Sequence, residues 1–218
     1  MISLDSRLSP SIAALDGADC RDAIGVLARA FRDNPLNMAV IGTGDAERRL
    51  SSNLHGMRSL LPAAAEHGEV LVARSAGRLV GVLISAPPGA YPLPPPPLMQ
   101  RIRCLLGQGW RVAIRWGQVF DALQAHHPHE PSWYLGTLGV DPAAQRQGVG
   151  AALLGRWLER VDRERSAAYL ETDIFANVRF YERAGFDLEG EGEVLGTPIW
   201  RMWRPVLAGE ISAASPPQ

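Results

Sequence analysis

The sequence predicts a single α/β domain, and three stretches carry that prediction. EVLVARSAGRLVGVLISAPP holds two β-rich runs, Val70 to Arg74 and Leu79 to Ser85, about a SAGR turn, which is a hairpin pattern. The apolar run Ser132 to Val140 leads through QRQGVG, Gln145 to Gly150, into the amphipathic AALLGRWLERVDRE, a strand–loop–helix order. AAYLET, ANVRFYERAG and FDLEGEGEVLGTPIWRMWRP then read as a strand, a short helix and a last hairpin. No internal repeat and no linker divides the chain. One domain over residues 1–208 is expected, followed by a polar, disordered tail at 209–218.

The other elements follow in order. SIAALDGADCRDAIGVLARAF reads as a short strand, a turn and a helix with Ile24, Leu27, Ala28 and Phe31 at helical spacing. Asp19 or Asp22 could cap that helix, and DNP stops it, because a residue before proline avoids the helical region. Asp45 to Ala65 is a second helix. Seven of the 17 prolines fall between Pro87 and Pro97. That segment is neither helix nor central strand; an extended spacer at 88–97 is expected, with a substrate-side lid as the rival reading. LMQRIRCLLGQGWRVAIRWGQVFDALQAHH looks helical, with Gly107, Gly109 and Gly117 as breaks. Ser132 to Val140 carries bulky groups on both faces and belongs in the middle of the sheet, and Gly136 and Gly139 let something approach its backbone closely or mark a bulge. Simple alternation sets Trp133, Leu135 and Thr137 on one face and Tyr134, Leu138 and Val140 on the other. In IWRMW, alternation opposes Trp200 and Met202 to Ile199, Arg201 and Trp203. Trp133, Trp200 and Trp203 are read as core, with stacking on an aromatic substrate as the rival.

Composition excludes several classes. The net charge of -1 provides no basic field for nucleic acid. No window reaches ~18 uninterrupted apolar residues, and the first residues lack a signal-peptide pattern, so no membrane association is expected. Cys20 and Cys104 are in no metal or redox spacing and suit a reducing compartment. A cytoplasmic protein is expected. All 22 basic residues are arginine; coding bias accounts for this more simply than selection against self-modification.

Three phosphate-binding patterns bear on QRQGVG. The nucleotide-triphosphate loop needs Lys and Ser or Thr after its glycines, whereas Ala151 and Ala152 follow Gly150. The dinucleotide fingerprint needs a third small residue where Leu153 stands. The third pattern, Gln/Arg-x-x-Gly-x-Gly/Ala after a strand ending in V-x-P, is met by Gln145, Gly148 and Gly150 after Val140-Asp141-Pro142. Unpaired amides at a helix start and the helix dipole favour an anion there. Arg146 adds a formal charge.

This motif, with YLET, Asn177-Val178 and FYERAGF downstream, resembles the GNAT (Gcn5-related N-acetyltransferase) superfamily. H-x-P-x-EP-x-W from His126 to Trp133, together with the ending IWRMWRP, is similar to the puromycin N-acetyltransferase-like branch. The resemblance runs from about Ala125 to Pro205. It implies a GNAT fold: a mixed, mostly antiparallel central sheet with a splayed pair of parallel central strands, flanked by helices. It implies acetyl-CoA as cosubstrate and transfer of acetyl to the amine of a small molecule by direct attack in a ternary complex. A protein or peptide acceptor and a non-catalytic acyl-CoA sensor are the alternatives. Family members are often dimers, which makes a homodimer an expectation.

Site residues follow by matching positions. Backbone amides of Gln145, Arg146, Gln147, Gly148, Val149, Gly150 and Ala151 are implied to hold the pyrophosphate. Leu138, Gly139 and Val140 would pair with the pantetheine arm like an added strand. Tyr181 is implied as the acid that protonates the departing thiolate; a core tyrosine is the plain reading. Asn177 is a further cofactor contact, although the commoner superfamily pattern has asparagine where this chain has Ile174. Candidates for the base that neutralises the amine are Glu171, Glu130 and His126. The cluster His126, His127, His129 and Glu130 could suggest a metal, but adjacent histidines split by Pro128 lack the usual facing geometry, so none is expected.

Overall fold

The computed structural model describes residues 10–207. The tail expected at 209–218 lies outside them. Seven strands form one sheet: β1 (Ser11–Ala14), β2 (Glu69–Ser75), β3 (Arg78–Ala86), β4 (Ser132–Val140), β5 (Ala167–Thr172), β6 (Asp187–Val194) and β7 (Thr197–Arg204). Their order is β1-β2-β3-β4-β5-β7-β6. Every neighbouring pair is antiparallel except β4 and β5, which are parallel. The helices are α1 (Cys20–Ala30), α2 (Pro35–Ile41), α3 (Ala46–His67), α4 (Leu98–Gln108), α5 (Trp110–Ala125), α6 (Val149–Arg163) and α7 (Phe175–Glu182). The first hairpin turns within SAGR as the pattern predicted, at Ala76-Gly77, and the last turns at Leu195-Gly196, each with two positive φ angles.

Local chemistry accounts for the helix ends. Asp45 caps α3 through the Glu47 and Arg48 amides. Asn34 caps α2, a helix the sequence reading passed over because DNP looked only like a stop. Neither Asp19 nor Asp22 caps α1: Asp19 binds Arg74 instead, and Asp16 caps the turn before it. After α7, Gly185 at φ 87° lets Phe186 N–H reach Tyr181 C=O and Gly185 N–H reach Glu182 C=O, a Schellman closure. Of the three glycines proposed as breaks, only Gly109 (φ 87°) interrupts the α4–α5 run. Gly107 stays helical and makes room for His55 of α3.

Two cores sandwich the sheet. On one face, α6 buries Leu153, Leu154, Trp157 and Val161 against Leu71, Leu83, Leu135 and Leu170. On the other, α1 and α3 bury Val26, Leu27 and Leu61 against Val72, Val82 and Ile84. Trp133 is 1% exposed, sits edge-on to Trp157 and donates to Glu164 at 3.0 Å. Met202 is fully buried, and Trp200 packs against the same core. The core reading of Trp133 and Trp200 therefore holds.

One expectation fails at Gly136. Ile84 pairs with Thr137 and Ser85 with Leu135, so Gly136 is an unpaired bulge residue in β4. The extra residue reverses the alternation beyond it. Leu138 and Val140 join Trp133 and Leu135 on the α6 side, while Gly139 meets α1. Thr137 thus belongs with Tyr134 and Gly139. A Cβ at Gly139 would stand 2.9 Å from Leu27 Cδ2 and 3.1 Å from Phe31, so its bare backbone is what seats α1.

The buried Arg49 guanidinium ties Asp33 to the Arg32 and Thr43 carbonyls. Arg204 bridges Asp162 of α6 and the Ala184 carbonyl after α7.

Gly139→Ala is expected to destabilise the protein by about 1–3 kcal/mol through overpacking against α1. Gly155→Ala, in open space on α6, should be neutral or stabilising by up to about 1 kcal/mol. Urea unfolding of the two variants side by side checks the contrast.

Candidate active site

The sheet opens where β4 and β5 part. They pair only from Ser132↔Ala167 to Leu135↔Leu170. From Gly136 onward β4 keeps β3 as its one partner, while Glu171 and Thr172 of β5 remain paired with β7. The bulge explains the departure, because an extra residue bends its strand and raises the local twist. Leu138 and Val140 therefore have a strand edge free on the β5 side. The Val140 carbonyl, however, accepts from Gln145 Nε2 at 3.2 Å.

The glycine loop stands at the end of β4. Asp141 is held by Arg29 of α1 at 2.6 Å and accepts from the Ala143 amide. Burial pushes its carboxyl up, but Arg29 and that amide outweigh this and its pKa lies below normal. Arg146 adopts φ 60° and Gly148 φ 84°. Gln145 and Gln147 fold back onto the backbone carbonyls of Val140 and Ala143. No side chain caps α6, and Ala152 N–H bonds Gly148 C=O. The amides of Val149, Gly150 and Ala151 thus have no intrahelical acceptor. A Cβ at Gly148 would meet nothing, and at Gly150 nothing nearer than 3.7 Å. The fold itself does not fill the space that these glycines keep clear. That is the property expected of an anion cradle.

α7 flanks the same opening. The Phe180 ring reaches within 3.9 Å of where a Gly150 Cβ would be. Tyr181 is 7% exposed, packed edge-on to Phe186 in the α6-side core. Burial, and secondarily the Asp173 carboxylate, raise its pKa, so its phenol proton is firmly held. Asn177 Nδ2 donates to Thr172 Oγ1 at 3.4 Å, which links α7 to the end of β5. Asp173 accepts from Asn34 Nδ2 and the Leu36 amide, both at 2.8 Å, and so docks the start of α2 there.

Glu171 points to the opposite face, with Tyr169 two residues before it and Arg201 as its partner on β7. Both its carboxylate oxygens are shut off from solvent and lack a hydrogen-bond partner, as is the Tyr169 hydroxyl. Burial raises the Glu171 pKa to about 7; the Tyr134 and Tyr169 hydroxyls and Arg201 lower it only in part. A small cavity of about 40 Å³ reaches the carboxyl between α5 and the β6–β7 hairpin, lined also by Leu123, His126, Val194, Ile199 and Arg201. That is room for one or two waters or the end of a ligand.

The three base candidates therefore separate. The Glu171 carboxyl is shut off from solvent beside the opening. His126 is exposed but lines the Glu171 cavity, its Nδ1 3.0 Å from the Ala122 carbonyl. Glu130 is exposed in the turn before β4 and does not line that cavity. His127 diverges from its neighbour and stacks on Tyr91 at 4.0 Å. No group of three or more His, Cys, Asp or Glu positioned for a metal occurs among the described residues.

Sequence reading missed Tyr91, Tyr134, Tyr169 and Arg201 around Glu171, and weighed His127 only as part of a metal cluster. Strand parity around Glu171 would have found Tyr169, which shares its face of β5; Arg201 needed the pairing of β5 with β7. Nothing local marks Tyr91, since it arrives from the proline-rich segment. Tyr91 meets Tyr134 at 4.5 Å, and His127 lies 5.2 Å from both Tyr134 and Tyr169. The segment is therefore not a plain spacer.

Comparison with known proteins agrees with this geometry. Residues 107–188 match the family model described as Acetyltransferase (GNAT) domain. The whole fold is similar to a structure from Corynebacterium glutamicum described as histone acetyltransferase HPA2 and related acetyltransferase. Identity is 25%, TM-score 0.73, with 94% of this chain and 100% of that one covered. The ribosomal-protein-S18-alanine N-acetyltransferase of Escherichia coli shares the fold at 17% identity and TM-score 0.54, covering 93% and 98%. The polyamine N-acetyltransferase of Drosophila melanogaster does so at 15% and 0.54, covering 89% and 98%.

Glu171 makes stability depend on pH. Below pH 4.5 the carboxyl is protonated in both the folded and unfolded chain and contributes nothing. Between 4.5 and about 7 the unfolded chain releases the proton while the folded one keeps it, so stability falls as pH rises. Above 7 the full cost, about 3 kcal/mol, is present. Glu171→Gln should match the parent protein near pH 4 and exceed it by up to about 3 kcal/mol near pH 8. Denaturant titrations at the two pH values check this; parallel curves would contradict it.

Proposed function

We propose that this GNAT-fold acyltransferase moves an acetyl group from acetyl-CoA to the amine of a small molecule, by direct attack in a ternary complex. The observation that carries this reading is the parting of β4 and β5, with unpaired amides at one end and a buried, unpartnered carboxyl beside it. Acetyl-CoA supplies a thioester whose carbonyl carbon accepts an amine. The chain's own residues would supply the rest.

The amides of Val149, Gly150 and Ala151, with Gln145 to Gly148 shaping the approach, receive the pyrophosphate at the positive end of α6. The free edge of β4 at Leu138 to Val140 pairs with the amide-bearing arm. Glu171 takes a proton from the incoming ammonium; its pKa of about 7 suits a base working near neutral pH. The freed nitrogen forms its bond to the acetyl carbon as the carbon–sulfur bond breaks. Tyr181 gives its phenol proton to the departing sulfur. Base and acid lie on opposite faces of the sheet, and the gap between β4 and β5 is where an acetyl group would meet both. His126, beside the same cavity, is placed to pass the Glu171 proton to solvent. Asn177 holds the β5–α7 corner and contacts the cosubstrate only if it leaves Thr172.

A small-molecule acceptor fits the narrow cavity at Glu171 better than an open peptide groove would. The H-x-P-x-EP-x-W stretch supports the puromycin N-acetyltransferase-like branch. Two free cysteines suit a reducing cytoplasm.

Gly150→Ala should fold normally, since its Cβ meets nothing nearer than 3.7 Å. It should nevertheless weaken acetyl-CoA binding by roughly tenfold or more, through the lost close approach. Thermal unfolding with and without acetyl-CoA reads both effects, and unchanged affinity would remove the loop from the cosubstrate site. Tyr181→Phe should keep acetyl-CoA affinity while turnover, followed by thiol release, drops about 100-fold or more. An unaffected rate would remove Tyr181 as the acid, and a parent protein that binds but never turns over a broad amine panel would favour an acyl-CoA sensor.

A further inference from the structure

We propose that the outward face of α4, continued by the start of α5, docks on the surface of an anionic phospholipid membrane, with a lipid phosphate held in the basic groove between α3 and α4. This goes beyond the acetyltransferase reading and uses none of the residues placed in the site.

α4 is inside out. A helix that covers a core turns its apolar stripe inward and its polar side to water. Here Leu98, Met99, Ile102, Leu105 and Leu106 share one stripe, about a third of the circumference at helical spacing, and all five are exposed. No residue of α4 is buried. Leu106 is 81% exposed and Leu98 67%. The side turned to α3 is instead polar or small. Gln108 Nε2 donates to the Ser52 carbonyl at 2.7 Å, Cys104 bonds Gln108 Oε1, and Gly107 makes room for His55. Past Gly109, α5 opens with two more exposed apolar side chains, Trp110 and Ile114. A run of exposed apolar side chains this long marks an interaction surface.

The charges beside it have one sign. Residues 98–120 contain four arginines and no aspartate or glutamate. At helical spacing Arg101 borders one side of the stripe and Arg103 the other, and both are exposed. The Arg111 guanidinium lies 5.3 Å from the centre of the Trp110 ring. Between α3 and α4 a groove of about 570 Å³ is lined by His55, Arg58, Ser59, Gln100 and Arg103, and by no carboxylate among the described residues. Within those residues Arg58, Arg101, Arg103 and Arg111 form no ion pair.

An anionic bilayer answers both features. Guanidinium groups take phosphate oxygens in paired hydrogen bonds, and an anionic leaflet attracts a basic cluster. Leu106 belongs to the stripe and also lines the groove. A phospholipid can therefore lay its phosphate on Arg58 and Arg103 while the stripe meets the acyl boundary. Long arginine side chains reach up to the headgroups, and tryptophan settles at the same level. Two other occupants fit less well. A second copy would bring the same arginines against one another. A helical peptide seeks an apolar groove, whereas here the apolar side chains stand on the ridge and the groove holds the charge. No helix among the described residues is long and apolar enough to cross a membrane, but a helix lying in the interface plane needs no such run.

Co-sedimentation of the full chain with vesicles tests the proposal. Vesicles of phosphatidylcholine with one third phosphatidylglycerol should bind roughly tenfold or more tighter than phosphatidylcholine alone. Salt at roughly 0.5 M should remove most of that difference. Leu106→Glu puts a carboxylate in the stripe at an exposed position, so the thermal midpoint should stay while vesicle affinity falls roughly tenfold or more. Arg58→Gln combined with Arg103→Gln should lower affinity for the anionic vesicles by about tenfold and leave the weak binding to phosphatidylcholine unchanged. Equal binding to the two vesicles, binding to neither, or anionic binding that Leu106→Glu or the arginine pair leaves intact would each overturn the proposal. Sedimentation velocity and a polyglutamate probe identify the rival occupants. A parent dimer that Leu106→Glu splits, with no vesicle binding, would give the face to a second copy. Tight binding of polyglutamate, with none of vesicles, would give it to an acidic protein. Either result would sink the membrane proposal.

Discussion

The parting of β4 from β5 is the constraint on which the rest of the molecule depends. Two parallel strands that stayed paired throughout would close the sheet and leave β4 no free edge. The bulge at Gly136 prevents this. It turns β4 away after four paired residues and frees its edge. It also resets the alternation, so that Leu138 and Val140 pack under α6 while Gly139 presents bare backbone to α1. One inserted residue thus opens the slot and still lets both cores close around it.

The two ends of the slot are held by different physics. At the loop end the anchors are electrostatic and directional. Arg29 fixes Asp141, Asp141 caps the following turn, and two glutamine side chains brace the backbone. The α6 amides are left over, aimed outward. At the other end the anchors are apolar and aromatic. Rings from β4, β5, the α5 turn and the proline-rich segment pack against one another, and the Tyr134 and Tyr169 hydroxyls face the Glu171 carboxyl. Unpaired amides and a buried carboxyl are both costly.

Glu171 also carries a cost in stability. A leucine or glutamine there would avoid the cost of burying a carboxylate. The chain bears that cost near neutral pH. Tyr181, on the other face, is shifted in the direction that keeps its proton. Burial pushes both groups the same way on the pKa scale, and under the proposed function that shift would suit the carboxyl as base and the phenol as acid.

Much of this was legible in the chain alone. Alternation and turn residues marked the hairpins, and the spacing of Leu153, Leu154, Trp157 and Val161 marked α6. QRQGVG after V-D-P marked the loop, because backbone geometry at a helix start is a local property. Glu171 and Tyr181 could be named from their motifs. What the sequence could not decide was anything that depends on which strands lie beside each other. The bulge at Gly136 exists only in the register with β3, and simple alternation therefore misplaced Thr137, Leu138 and Val140. The facing of Glu171 toward Arg201, and its isolation from water, needed the β5–β7 pairing. Glu130 and His126 looked equal as bases until the α5 turn brought one to the cavity and left the other in solvent. Tyr91 lies 36 positions before His127, and only the folded chain sets their rings 4.0 Å apart. Local chemistry determined the elements and the helix-start loop; the surroundings of Glu171 are made of long-range contacts, whose partners no short-range pattern encodes.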